Sequence, residues 1–494
     1  MKWKALVVGA GIGGLTAAMR LVKSGYEVEI VEKFHQAGGR VNLLQEDGFT
    51  FDSGATMMGM SYELKEFERD CQIQLPFKMV ELNPLFDVIF EGSPKPYRIS
   101  KNLTRLGKEF DDLEKNFPDK AKKFLHASGR LFHDSFPLLF KKNISNFFEH
   151  FISIAQLPYK HFPRFFRPYW QELGKYFQSD KVKQILSLPA LFNGSTPFEI
   201  SSFFSFLSYN QMKFDGNYSI EGGVYQLVQS LIDELVKNNV KIHYNTEIID
   251  FVSENNKIKH LIDKNSRKWH ADLFLINADA CVFRNKVLKH PAYDATALDK
   301  MNWSMAPFSI YLGLSCKLPQ LSQNTCVINP SFKEYAGKNL KHLLALDKPY
   351  YYVNIPSKAN PHLAPLGCEA VMIQCLVPNL KYKKSWVDKK SVAENIIQDL
   401  SYKISLDLES FVLYEKIQTP EDWEQNFGLW RGSGFGPSLK LNQIGGFRTK
   451  NYDEKFQNLF YCGASTIPGN GIPMVIISSK LACERIWKKF GAYS

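Results

Sequence analysis

The chain has 494 residues, 45% of them hydrophobic and 22% charged, the balance of a globular protein large enough for two or three domains. Its net charge of +11 comes from lysines and arginines spread along the chain rather than run together, which points away from a nucleic-acid module and toward a membrane surface. Eight scattered cysteines without a C-x-x-C pair exclude the usual zinc and disulfide frameworks and suit free thiols in a reducing compartment.

Lys2 and Lys4 before an apolar run suggest a secretory signal, but glycines interrupt the run and no A-x-A site follows. The segment therefore reads as structure, and the expected location is the cytoplasm. Residues 5–8 form a short buried strand. Gly9, Gly11 and Gly14 then set out G-x-G-x-x-G, with Gly13 beside them. A helix follows with Leu15, Ala18, Leu21 and Val22 on its inner side, Gly25 stops it, and residues 27–31 alternate as a second strand closed by Glu32. In a strand–turn–helix unit these glycines permit a tight turn, a close diphosphate and close packing, while the helix N-terminus attracts phosphate and Glu32 accepts from ribose hydroxyls.

Gly38, Gly39 and Arg40 next offer backbone N–H groups and a fixed positive charge for a second phosphate contact. The run 48–56 reads as a hairpin strand returning to the same site, or as a bare turn. V-x-G-A-G-I-G-G-L, Glu32, G-G-R at 38–40 and F-D-S-G at 51–54 resemble the two-dinucleotide-binding flavoproteins. That resemblance implies FAD rather than NAD. It places the cofactor on Gly9, Gly11, Gly13, Gly14, Glu32, Lys33, Gly38, Gly39, Arg40, Gly54 and Ala55.

Residues 62–70 read as helix, 81–99 as strands with Phe86, Val88 and Phe90 alternating, and 110–132 as helix. From 136 to 170 aromatics, among them Phe136, Phe140, Phe147, Phe148, Phe151, Tyr159, Phe165, Phe166 and Tyr169, stand among Lys141, Lys142, Lys160, Arg164 and Arg167, with few acids. Such a stretch suits an amphipathic contact with a membrane interface, or a core helix with a solvated basic face. The run 184–210 is apolar enough to line a pocket for a long apolar ligand, or to be core.

Residues 219–223 precede an amphipathic helix carrying Val224, Leu227, Val228, Leu231 and Leu235. Residues 240–244 read as a strand continued through 245–248, a hairpin turns at 254–256, and 271–277 is a buried strand. Strands are also expected over 308–314 and from 351. At the C-terminus a strand delivers the chain to Gly463, and a glycine-rich loop, Gly469 to Gly471, starts a helix near Pro473 that faces the flavin.

G-S-G-F-G at 432–436, Asn360-Pro361 with A-P-L-G at 364–367, and G-N-G-I-P at 469–473 complete an order of blocks that closely resembles the bacterial phytoene desaturase family of carotenoid desaturases, over nearly the whole chain. Met57, Met58, Met60, Ser465, Thr466, Ile467 and Met474 depart from its pattern. The resemblance implies an α/β flavoprotein with a Rossmann-like FAD domain in three segments, 1–85, 219–285 and 426–494. An inserted α+β substrate domain would occupy 86–218 and 286–425. It adds Ile248 (near the adenine), Gly463, Gly471, Ile472 and Pro473 to the FAD contacts.

The implied reaction removes hydride to the flavin and a proton from the neighbouring carbon of a long apolar isoprenoid, with quinone or oxygen as final acceptor and peripheral attachment to the cytoplasmic membrane. Phe203, Phe204, Phe206 and Tyr209 are candidate aromatic faces for a developing allylic cation. Arg164, Arg167 and Glu199 read as surface groups, so no catalytic residue is assigned. A carotenoid isomerase or oxidase, a flavin amine oxidase and a non-enzymatic lipid carrier remain as alternatives.

Overall fold

Alternation within the opening strand decides how the first half of the fold is layered. In the computed structural model, which describes residues 2–93, 95–144, 147–329 and 350–492, Lys4–Val8 lies at the centre of a five-stranded parallel sheet. The order is Lys241–His243, Glu27–Val31, Lys4–Val8, Leu273–Ile276, Leu459–Tyr461. Ala5 and Val7 pack with the helices Ile12–Lys23, Tyr225–Lys237 and Ile472–Phe490 on one face. Leu6 and Val8 pack on the other face against Ile248, Ile258, Leu261 and Trp269 of a three-stranded antiparallel sheet. A strand covered on both faces reads as a continuous apolar run, as LVV does. The five strands come from three separated stretches of chain.

A seven-stranded sheet forms the second body. Its order is Val412–Gln418, Ala306–Leu314, Glu369–Val377, Tyr351–Asn354, Asn324–Ile328, Phe86–Phe90, Tyr97–Ile99. Helix Lys389–Ile404 covers one face with Ala393, Ile396, Ile397 and Leu400. An aromatic-rich helical layer drawn from residues 117–214 covers the other. Its rings stack in chains, such as Phe165–Phe203 at 4.8 Å and Phe136–Phe140 at 5.1 Å between centroids.

The structure shifts several expected elements. The helix expected at 110–132 runs Phe117–Leu139, because Pro118 sets its first turn and Phe110 ends the separate helix Leu103–Glu109. Phe86–Phe90 is buried throughout rather than alternating, since both faces of its sheet are covered. Ile248 does not continue the strand before it: Asn245 turns the chain at φ +53°, and Ile248–Glu254 begins the three-stranded sheet. Residues 330–349 of the expected 286–425 segment lie outside the described residues, as do 145–146 and the side chain of Phe147. All eight cysteines are free thiols. Among the described residues no helix is long and apolar enough to cross a membrane.

The 136–170 stretch divides in two. Phe136, Phe140, Leu157, Phe165 and Tyr169 are core. Phe148, Phe151, Tyr159 and Phe166 are 69%, 59%, 85% and 80% exposed. Most of its cations are already paired with acids that lie outside the stretch or at its edge. Lys141 sits 2.9 Å from Glu63 and 2.6 Å from Glu66. Arg164 and Arg167 share Glu172 at 3.0 and 2.6 Å, and Lys160 meets Asp134 at 3.6 Å. Arg164 is buried, contrary to the surface role expected of it, with a further bond to the Ala127 carbonyl.

The F-D-S-G motif joins two of the separated stretches. Asp52, on strand Phe49–Gly54, accepts from the backbone N–H groups of Val224 (2.9 Å) and Tyr225 (3.0 Å), satisfying the open start of helix Tyr225–Lys237. Burial pushes its carboxyl up to about 6 against the pull of these bonds. Asp52→Ala should therefore cost about 1–3 kcal/mol in denaturant unfolding, whereas Asp52→Asn should keep most of the stability. The folded chain binds this proton more tightly than the unfolded one. Wild-type stability relative to Asp52→Asn should thus be highest below the ordinary carboxylate range and fall as pH rises through about 6. Equal pH profiles for the two proteins would contradict the assignment.

Candidate active site

Three of the strands of the parallel sheet end at one cavity of about 680 Å³, a size within the usual span of ligand sites. Gly9, Gly11, Gly13, Glu32, Lys33, Gly38, Gly39, Arg40, Gly54, Ala55, Ile248, Gly463, Gly471, Ile472 and Pro473 all line it. Gly14 does not. It lies where helix Ile12–Lys23 crosses the first strand, and a Cβ there would stand 2.1 Å from the carbonyl oxygen of Gly9. Its service is close packing.

Asn277, which sequence reasoning missed, fills the space beneath this turn. Cβ atoms on Gly13 and Gly463 would lie 2.6 and 2.8 Å from its Nδ2, and one on Gly11 would lie 2.8 Å from its Oδ1. The same Nδ2 donates to the Cys462 carbonyl at 3.3 Å. The only sequence signal was a polar residue ending the apolar run LFLI.

Glu32 is buried, and its carboxylate accepts from the N–H of Ala10 at 2.7 Å and of Phe34 at 3.0 Å. Burial raises its pKa despite these bonds. Arg40 approaches Asp279 at 3.6 Å. One oxygen of Asp279 caps helix Ala280–Lys286, and the other is buried without a hydrogen-bond partner among the described residues. Behind them Arg448 is buried and donates to the carbonyls of Ala464 (2.6 Å) and Thr466 (3.0 Å), fixing the loop after Gly463.

The helices Ile12–Lys23 and Ile472–Phe490 both begin at the cavity, at Gly11 and Gly471. Neither start carries a side-chain cap or a first-turn acid. Gly471 adopts φ +104°, a conformation that only glycine holds without strain. Two uncapped helix starts, a glycine turn that side chains would fill and a fixed arginine suit a dinucleotide with its diphosphate. The residues present fit FAD.

The remainder of the cavity is mostly apolar, interrupted by the amides of Asn193, Asn210, Gln211, Asn217 and Gln374. Met57, Met58, Met60, Phe140, Leu191, Phe192, Phe204, Phe206, Leu207, Leu376, Phe435, Leu439 and Met474 line it. Phe203 and Tyr209 do not; they sit behind that wall, Phe203 stacked on Phe165 and Tyr209 near the His133 ring. Glu199 is exposed and 3.6 Å from Lys440, and neither Arg164 nor Arg167 reaches this cavity. The carboxylates that line it, Glu32, Glu247 and Asp279, belong to the glycine-rich end. In the apolar part Tyr352 holds its hydroxyl 2.9 Å from Thr56 Oγ1 and against Asn324, and burial raises its pKa.

This arrangement has close parallels. The chain is 29% identical over 488 residues to the zeta-carotene-forming phytoene desaturase of Myxococcus xanthus, covering 97% of this chain and 93% of that one. It is 26% identical to the 4,4'-diapophytoene desaturase (4,4'-diapolycopene-forming) of a Methylomonas species, over 98% and 95% of the two chains. Among solved structures an oxidoreductase from Methanosarcina mazei shares the fold, with TM-score 0.64 and 20% identity over 97% of this chain and 100% of that one. The family profile for flavin containing amine oxidoreductases matches residues 12–487. With that match and the dinucleotide cradle in place, the chain belongs to the flavin-containing amine oxidoreductases, an FAD-dependent enzyme family with a Rossmann-like fold.

Proposed function

We propose that the protein is an FAD-dependent desaturase of a long apolar isoprenoid, a carotenoid or carotenoid precursor such as phytoene. One observation carries the reading: the cofactor cradle opens directly into a compartment walled mainly by methionine, leucine and phenylalanine, with a few neutral amides such as Asn210 and Gln374, where no carboxylate among the described residues stands to meet an amine. The two desaturases aligned along nearly the full chain support the same substrate class.

We assign Gly9, Gly11, Gly13, Gly38, Gly39, Arg40, Gly54 and Ala55 to the phosphates and flavin. Glu32 and Lys33 go to the ribose, Ile248 to the adenine, and Gly463, Gly471, Ile472 and Pro473 to the flavin ring, with Gly14 as the packing residue. The FAD segments are then 1–85, 219–285 and 426–494, and the substrate segments 86–218 and 286–425.

When bound, FAD supplies the hydride acceptor. The chain's own residues position the C–H bond and exclude water. Phe204 and Phe206 present ring faces to charge developing along the polyene, each contributing roughly 0.5–2 kcal/mol. Tyr352, held by Thr56 and Asn324, keeps its proton and offers a fixed polar atom in a mostly apolar wall. The final acceptor is assigned as quinone or oxygen. Phe148, Phe151 and Ile152 share one face of helix Phe147–Ala155 by their spacing, and with Tyr159 and Phe166 they form an apolar surface suited to a lipid interface. We therefore place the protein peripherally on the cytoplasmic membrane.

Expression in a bacterium that makes phytoene or its C30 counterpart should produce new, resolved visible absorption bands. No pigment from either precursor, with protein that carries FAD, would overturn the desaturase reading. Phe204→Ala or Phe206→Ala should lower pigment formation by about 2- to 30-fold while leaving flavin content intact. Because most cations of the 136–170 stretch are already paired, attachment should rest on the rings. Wild-type protein should float with both neutral and anionic liposomes, and the triple variant F148S/F151S/F166S should remain at the bottom. Flotation lost at high salt and kept by the triple variant would contradict an apolar contact.

A further inference from the structure

A second cavity, of about 250 Å³, lies beside the first and has the opposite chemistry. Leu439 lines both. Lys300, Lys381 and Lys440 line the smaller one, and among the described residues Glu199 is the single carboxylate in its wall. Glu199 lies 3.6 Å from Lys440 Nζ, too long for a close hydrogen bond. Lys381 donates to the backbone carbonyl of Asp299, whose carboxylate is engaged by Arg431 at 2.8 Å and by Trp430 at 3.0 Å. Lys300 makes no ion pair among the described residues, so the wall holds a net surplus of positive charge.

Two hydroxyls in the same wall, Thr196 and Ser438, are buried and have no hydrogen-bond partner among the described residues. A buried hydroxyl left unpaired costs stability, and such a site usually holds a ligand or an ordered water. Ammonium groups only donate and a free hydroxyl can donate as well, so an oxyanion is an acceptor that matches both.

We propose that this cavity binds a small oxyanion, a phosphate or carboxylate group, held by Lys300, Lys381 and Lys440 beside the apolar compartment. The anion is either free in solution or the head group of an isoprenoid whose tail passes Leu439. The site shares no residue with the glycine-rich cradle, so it stands whether or not the chain proves to be a desaturase.

Calorimetric titration of the FAD-loaded protein, its dinucleotide site already filled, tests this with inorganic phosphate and with farnesyl phosphate as separate probes. Saturable binding of inorganic phosphate, weakened about tenfold or more in Lys381→Met/Lys440→Met and retained in Lys440→Arg, is the expected result. Farnesyl phosphate binding that shows the same lysine dependence but is about tenfold tighter would identify the isoprenoid head group as the source. Equal affinity for the two probes would identify the free anion. Flavin absorbance confirms that each variant is folded. Absence of binding by both probes, or binding unchanged in the double lysine variant, would overturn the proposal.

Discussion

The structure depends on the fit of the Asn277 side chain beneath the glycine-rich turn. Its Nδ2 and Oδ1 occupy space that a Cβ on Gly11, Gly13 or Gly463 would claim, and its backbone N–H donates to Val8 at 2.8 Å. Three distant stretches of chain, carrying Gly13, Asn277 and Gly463, meet at this one side chain. Close packing of this kind leaves little room for adjustment. The two uncapped helix starts, at Gly11 and Gly471, open onto the same cavity above this junction.

From that junction the rest follows by layers. The parallel sheet ends at the cradle, and the seven-stranded sheet with its aromatic helical cover supplies the apolar wall. Asp52 ties the strand before Gly54 to the helix after Gly223, and Arg448 braces the loop from Gly463 toward the last helix. The many phenylalanines serve mainly to fill the helical layer: Phe110, Phe117, Phe124 and Phe177 make edge and stacked contacts far from the cradle. A smaller set, among them Phe140, Phe192, Phe204, Phe206 and Phe435, faces the cavity.

Much of this was legible in the sequence where one motif encodes one local geometry. The strand–glycine–helix unit, the hairpin with Asn255 and Asn256 at positive φ, and the last helix from Ile472 follow from short-range rules. Features that depend on partners distant in sequence were not legible. The basic 136–170 stretch has few acids within it, yet Glu63, Glu66, Asp134 and Glu172 come from elsewhere or from its edge to neutralise it. Phe203 and Phe204 are neighbours in sequence, yet Phe204 lines the cavity and Phe203 lies behind its wall. Asn277 has no motif of its own, and its role appears only when the stretches carrying Asn277 and Gly463 close on the one carrying Gly13.

The central claim is that an apolar isoprenoid lies against the bound flavin. The most direct measurement is anaerobic mixing of the FAD-loaded protein with phytoene, or its C30 counterpart, in liposomes while the oxidised-flavin band is followed. Bleaching of that band matched by formation of a more unsaturated product is the predicted result. A flavin that stays oxidised with both polyenes, yet is bleached by an amine, would contradict the account.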